Sequence, residues 1–264
     1  MLASTCSRQT EEGMSHRDAR GAELSAIILE DKEGKTQQVL IHQHPVTVAQ
    51  FARYVRDSAY LSTAERLGSA GAFDFTTFRW ELVEGANWQY PRGQEHPAAA
   101  GNHPVTQVSW YDALAYCHSL GMELPSQALW EEILAHESED KNGRFVWGDE
   151  LNPGGKYAAN YWQGVFPLRN TEKDGYLMTS PVGTFGESRS GLQDLSGNVW
   201  EWCSDWYAPS LDGPDSLRER VQVGGSFMCA PQDCLGFARG QVSHSTPETA
   251  LFHVGFRCVQ KVGK

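Results

Sequence analysis

Residues 191–207 read GLQDLSGNVWEWCSDWY, a polar, glycine-bearing half followed by a half rich in tryptophan. The stretch lies within residues 137–225, where neither helical nor strand periodicity is sustained. So long a segment inside one domain needs something other than secondary structure to order it. Bound metal and buried tryptophans are the two candidates. Asp194, Asn198 and Glu201, with Gly197 in the turn, offer carboxylate and amide oxygens close together. A second stretch, NYWQGVFPLRNTEKDGY (160–176), adds Asn160, Asp174 and backbone carbonyls near Tyr161 and Tyr176. Calcium takes about six to eight oxygens of this mixed kind. Neither stretch has EF-hand spacing, and on spacing alone solvated turn residues explain both better.

Working outward, three short helices are expected upstream. PVTVAQFARYVRD (45–57) puts Val48, Phe51, Ala52 and Val55 on one face, with Thr47 as N-cap. SWYDALAYCHSL (109–120) repeats the pattern, capped by Ser109 and ended by Gly121. SQALWEEILAH (126–136) is capped by Ser126. Downstream, Val221–Val223 reads as a strand and HVGFRCVQ (253–260) as a closing strand. Residues 1–22 are polar, lack an apolar signal-peptide core, and read as a disordered tail; residues 23–264 read as a single domain.

The chain has 264 residues, a formal net charge of −11 and a pI of about 5.3. An acidic chain is a poor partner for nucleic acid or an anionic membrane, both of which need a basic face. No apolar run reaches the roughly 18 residues of a membrane span. With no secretory signal the expected compartment is the cytoplasm, and the expected state a monomer. Six cysteines are too few for a disulfide-dense scaffold.

Two of them, Cys229 and Cys234, stand close together in GGSFMCAPQDC (224–234). Two thiolates on a short loop suit a soft ion such as copper(I). Zinc prefers four ligands and would have to recruit His244 or His253. A redox disulfide and two unrelated buried thiols are the remaining readings. The sequence holds no H-E-x-x-H, G-x-S-x-G or Walker motif.

HPVTQVSWYDALAYC, LPSQALWEE, FVWGDEL, GLQDLSGNVWEWCSDWY, GGSFMC and GFRC occur in the order found in formylglycine-generating enzymes, the sulfatase-modifying factors. GANWQYPRG and AANYWQGVFPLRNTEKDGY match as well, and the resemblance covers about residues 38–260. It implies an α+β, loop-rich fold with little regular secondary structure, distantly C-type-lectin-like. It implies an oxidase that uses copper(I) and O2 to convert a cysteine of a substrate protein or peptide, sulfatase-like, to Cα-formylglycine. Mapped onto this sequence, Cys229 and Cys234 are the copper ligands, Ser226 a hydrogen-bonding group of the oxygen pocket, and Trp200 its wall. The first calcium site maps to Asn160, Tyr161, Asp174 and Tyr176, the second to Asp194, Gly197, Val199 and Glu201. Cys117 and Cys258 match a pair that is bridged in secreted members.

The sequence also departs from the family. An opening apolar strand ending in Met-Gly is missing before QQVLIHQHPVT, and Glu123 replaces a basic residue. After Cys234 the aromatic and arginine residues of the substrate groove give way to LGFARGQVSHSTP. His253 stands where asparagine is common. These changes leave two other expectations open: oxidation of a different substrate, such as a small molecule or a non-ribosomal peptide precursor, and a non-catalytic binding or inhibitory module.

Overall fold

The computed structural model describes residues 16–30, 34–138, 140 and 143–262. The chain opens with strands β1 (His16–Arg17), β2 (Glu23–Glu30) and β3 (Thr36–His42). Helices α1 (Val48–Ser58) and α2 (Thr63–Leu67) lead into a hairpin of β4 (Ser69–Asp74) and β5 (Arg79–Glu84). Helices α3 (Trp110–His118) and α4 (Gln127–Glu137) follow, then a small hairpin of β6 (Gly164–Val165) and β7 (Arg169–Asn170). The last strands are β8 (Trp200–Trp206), β9 (Arg220–Val223), β10 (Val242–Ser245), β11 (Val254–Gly255) and β12 (Val259–Val262).

Each helix starts where a side chain satisfies an orphan N–H. Thr47, Ser62 and Ser109 each form a capping box with the third helical residue, and Ser126 accepts from Leu129. Helix α3 ends as expected at Gly121, whose φ of 69° turns the chain so that its N–H donates to His118 O and the Met122 N–H to Cys117 O, both at 3.0 Å.

Two four-stranded sheets carry the fold, ordered β1-β2-β3-β12 and β10-β9-β8-β11. Strands β8 and β11 pair in parallel, with Val254 opposite Trp200. Ile27, Val39, Ile41 and Val259 of the first sheet share one core with Leu129, Trp130, Ile133 and Leu134 of α4 and with Val221 and Val223 of the second. A second core joins Phe51, Tyr54 and Tyr116 of α1 and α3 to Phe256, Trp200 and Trp202. Cys117 is bonded to Cys258, their Cα atoms 5.5 Å apart, which ties α3 to the base of β12.

Two expectations change. The closing strand is two strands, β11 in one sheet and β12 in the other, separated by Phe256, Arg257 and Cys258. Residues 1–15 of the expected tail lie outside the described residues, but residues 16–22 form a hairpin arm on β2. Asp18 holds that arm down by accepting from the Arg20 and Ala22 N–H groups and pairing with buried His42 at 3.1 Å. Strand β2 pairs with β3 from Leu24 to Glu30 but carries no Met-Gly, so the departure read in the sequence stands.

Candidate functional site

Strand β9 ends at Val223, and Gly224 and Gly225 turn the chain with φ of 90° and 76°. A side chain at Gly225 would lie 2.8 Å from the Phe237 Cα, so the returning segment can pass against the turn only because glycine is there. Two further turns bring Cys234 back to Cys229. The Cys229 N–H donates to the Ser226 carbonyl at 2.9 Å, and the Leu235 N–H to the Ala230 carbonyl at 3.1 Å.

The turn is anchored on both sides. The Phe227 N–H donates to Asn198 O at 3.0 Å, and the Trp162 N–H to Cys229 O at 3.0 Å. Asn198 also donates its N–H to Asn160 O at 2.8 Å, and its side chain bonds both the N–H and the carbonyl of Ser180. The stretches 159–163, 197–202 and 224–234 are therefore one hydrogen-bonded unit, which is how residues 137–225 are ordered with so little helix or strand.

Within this unit the sulfurs of Cys229 and Cys234 are bonded to each other, with Cα atoms 5.4 Å apart. Cys229 is buried at 2% exposure, whereas Cys234 is exposed. The Ser226 hydroxyl, fully buried, lies 4.0 Å from the Cys229 sulfur. It accepts from the Met228 N–H at 3.3 Å, so its own proton is free to turn toward that sulfur. The Gly236 N–H donates to the Cys234 sulfur at 3.4 Å. A Cβ on Gly236 would stand 2.8 Å from the Cys229 sulfur and closer still to the Trp200 indole, so all three groups meet at one point. The structure thus brings Cys229, Cys234, Ser226 and Trp200 together.

His253 is near but not part of this contact. Its carbonyl accepts from the Trp200 N–H at 3.0 Å, and its ring packs 5.2 Å from Trp80. Burial pushes the imidazole down to about 3, and Nδ1 is buried without a partner among the described residues. Among the described residues no group of three or more His, Cys, Asp and Glu is placed to hold a metal ion. Neither His244 nor His253 therefore completes a zinc site with the two cysteines.

The two expected calcium sites differ in their oxygens. At the first, Asn160 Oδ1 and Asp174 Oδ2 are both buried without a hydrogen-bond partner among the described residues. Burial pushes the Asp174 carboxyl up, against the Tyr176 N–H that donates to its other oxygen at 3.0 Å. Gln163 bridges the site, donating to the Tyr161 carbonyl and accepting from the Asp174 N–H at 3.1 Å. A desolvated carboxylate and an amide oxygen left without donors form an oxygen set that fits a hard cation. At the second, both Glu201 oxygens are held by Arg257 at 2.7 Å, the pair fully buried. Arg257 also donates to the carbonyls of Gln193 and Asp194, while Asp194 Oδ2 accepts from the Gly183 N–H at 2.9 Å. Gly197 and Val199 lie in the same turn, their segment fixed by the Gly197 N–H donating to Gly224 O at 2.7 Å. A cation there would share Glu201 with the guanidinium. Sequence reasoning missed Arg257 and Gln163; only the fixed order of GFRC after GNVWEW hints at the first.

A thiol pair with one buried and one exposed member, roofed by tryptophan and set on loops instead of a helix, defines a thiol-centred site on a loop-rich α+β scaffold. The chain belongs to the sulfatase-modifying factor family: the sulfatase-modifying factor enzyme 1-like domain matches residues 14–262. A formylglycine-generating enzyme of Streptomyces coelicolor is 37% identical over 242 residues, covering 83% of this chain and 76% of that protein. A mouse protein named inactive C-alpha-formylglycine-generating enzyme 2 is 32% identical over 267 residues, covering 89% and 80%. PvdO from Pseudomonas aeruginosa shares the fold, with a TM-score of 0.65 at 19% identity over 96% of this chain and 100% of that one.

Proposed function

We propose that this chain is a formylglycine-generating oxidase that acts on a cysteine of a protein or peptide. Relatives carry both active and inactive names, so family membership alone does not decide the matter. The observation that carries the reading is the Cys229–Cys234 pair, buried on one side and open on the other, against Trp200 and Ser226.

Reduced, the two sulfurs reach one point and can hold a single soft ion between them. Copper(I) bound there would supply one-electron chemistry toward O2 and an open third position for a substrate thiol. The protein's own part is positional. Trp200 shields the Cys229 side from water. Ser226 directs a proton toward the Cys229 sulfur, and the Gly236 N–H stabilises charge on Cys234. The exposed Cys234 leaves the approach free for an incoming thiol. Beside it, Gln232 donates to the Gly164 carbonyl at 2.5 Å, which fixes the β6–β7 hairpin at the edge of the site. Trp80 and Leu82 of β5 and Val165 and Leu168 of the small hairpin are exposed apolar side chains. Such surface suits a polypeptide substrate.

The first calcium site is proposed on Asn160, Asp174 and the carbonyls of Tyr161 and Tyr176, on the strength of its two partnerless buried oxygens. A second ion on Asp194, Glu201 and the carbonyls of Gly197 and Val199 would lie beside Arg257.

The test loads the reduced protein with copper(I) and offers cysteine peptides with varied flanks under oxygen. The expected results are one copper per chain, lost in Cys229→Ala and Cys234→Ala, and a product aldehyde by mass spectrometry. Copper bound in both variants as in wild type would refute the clamp. A second reading, oxidation of a different substrate, is favoured by Gly236, where the Trp200 indole and the Cys229 sulfur fill the space a side chain would occupy. Turnover of a non-peptide thiol in preference to every peptide would select it.

A further inference from the structure

On the face where the N-terminal arm meets α1 lies a cavity of about 200 Å³, lined by Arg20, Ala22, Ala49, Gln50, Arg53 and Tyr116. Its charges are unusual for a chain with a net charge of −11. Arg20 makes no ion pair among the described residues. Its Nη1 donates to the Ser119 hydroxyl at 2.8 Å, and its guanidinium lies over the rings of Tyr54 and Tyr116 at 5.3 and 5.8 Å. Arg53 donates to the Arg20 carbonyl at 3.0 Å, and its nearest carboxylate, Asp57, is 3.7 Å away on the solvent side. Asp18 hydrogen-bonds neither guanidinium, because its oxygens are taken by His42 and by the N–H groups of Arg20 and Ala22. At the buried wall the Tyr116 hydroxyl has no partner among the described residues, in a residue with no exposed surface.

A buried hydroxyl without a partner is a defect unless something fills it. Two guanidiniums with spare N–H donors and one spare O–H converge on a volume that would hold several waters, at about 30 Å³ each. Guanidinium forks match tetrahedral oxyanions, and the phenol adds a further donor. We infer that this cavity binds a small tetrahedral oxyanion, phosphate or sulfate, held by Arg20, Arg53 and the Tyr116 hydroxyl. Arg20 belongs to the N-terminal arm and Arg53 to α1, so the bound ion bridges them and pins the arm to the domain. The site is separate from the cysteine turn and does not depend on its chemistry.

The full chain is titrated with phosphate and with sulfate against chloride at matched ionic strength, by calorimetry and by hydrogen exchange of residues 18–24. Saturable one-to-one binding is expected, with slower exchange in the arm. Arg53→Gln, on an exposed position of α1, should weaken binding about ten-fold or more, as loss of a charged hydrogen-bond donor does. Tyr116→Phe, which keeps the ring packing, should weaken it by a smaller factor. No saturation beyond the effect of chloride, or equal affinity in Arg53→Gln and wild type, would overturn the site. Thermal unfolding without anion shows whether each variant is folded, so lost binding is not mistaken for lost structure.

Discussion

At Gly236 the absence of a side chain is itself part of the site. A methyl there would meet the Cys229 sulfur at 2.8 Å and press on Trp200. Gly236→Ala is expected to cost about 1–3 kcal/mol of stability by overpacking, and to cut copper affinity and turnover about ten-fold or more by spreading the sulfurs. Denaturant titration and copper binding separate the two effects. His253 allows a pH prediction. Its folded value, about 3, is far below the ordinary value of about 6.5. Above pH 6.5 the ring is neutral in both states and contributes no slope. As pH falls from about 6.5 toward 3, the unfolded chain takes a proton that the folded one refuses, so stability is lost. Between pH 7 and 5 that loss is about 2 kcal/mol, at about 1.4 kcal/mol per unit past the unfolded value. His253→Asn should remove it, which urea titrations at the two pH values would show. Burial lowers His44 and His103 in the same direction, and their share stays in both proteins.

At the scale of elements, the sequence was most legible where the determinants are local. Thr47, Ser109 and Ser126 each sit three residues before the N–H they cap, and all three helices form there. The box at Ser62 and Glu65 is equally local, but α2 is too short to show a period. Strand β5 alternates polar and apolar only from Arg79 to Leu82, a run too short to stand out, and all four residues are exposed. Strand β8 hides for a different reason, since Trp200, Glu201, Trp202 and Cys203 are all buried. Of the site, Cys229 and Cys234 stood out as a pair on their own. Ser226 and Trp200 became legible only through the family motifs, because the contacts between residues 200, 226 and 236 depend on the whole unit closing. The Cys117–Cys258 bond closes a loop of 141 residues between α3 and β12. Replacing both cysteines by alanine should cost about 4–5 kcal/mol on the chain-entropy estimate. Equal thermal midpoints for the variant and the oxidised wild type would contradict it. A reducing compartment would keep these two as thiols, whereas an oxidising one preserves the bond.

For the molecule as a whole, the decisive arrangement is that the first proposed calcium loop and the cysteine turn are parts of one hydrogen-bonded unit, joined at Trp162 and Cys229. Removing an ion from Asn160 and Asp174 should therefore be felt globally. Chelation with EGTA is expected to lower stability by about 2–4 kcal/mol, the linkage expected of an ion present well above its dissociation constant. Asp174→Asn should abolish that response while leaving the ion-free protein no less stable, because it removes a desolvated carboxylate. An unchanged thermal midpoint on chelation of the wild type would rule the site out.

The split of the closing segment into β11 and β12 bears on the order in which the protein is made. Residues 254–262 supply an edge strand to each sheet, and residue 253 accepts the backbone hydrogen bond of Trp200. These residues leave the ribosome after the cysteine turn has already emerged. Until they arrive, β3 and β8 each lack a neighbour, and the tryptophan over the sulfurs has no backbone anchor. The nascent chain can fold its early helices as it appears, but Trp200 takes its backbone anchor and β8 its neighbour only after residues 253–255 have been added.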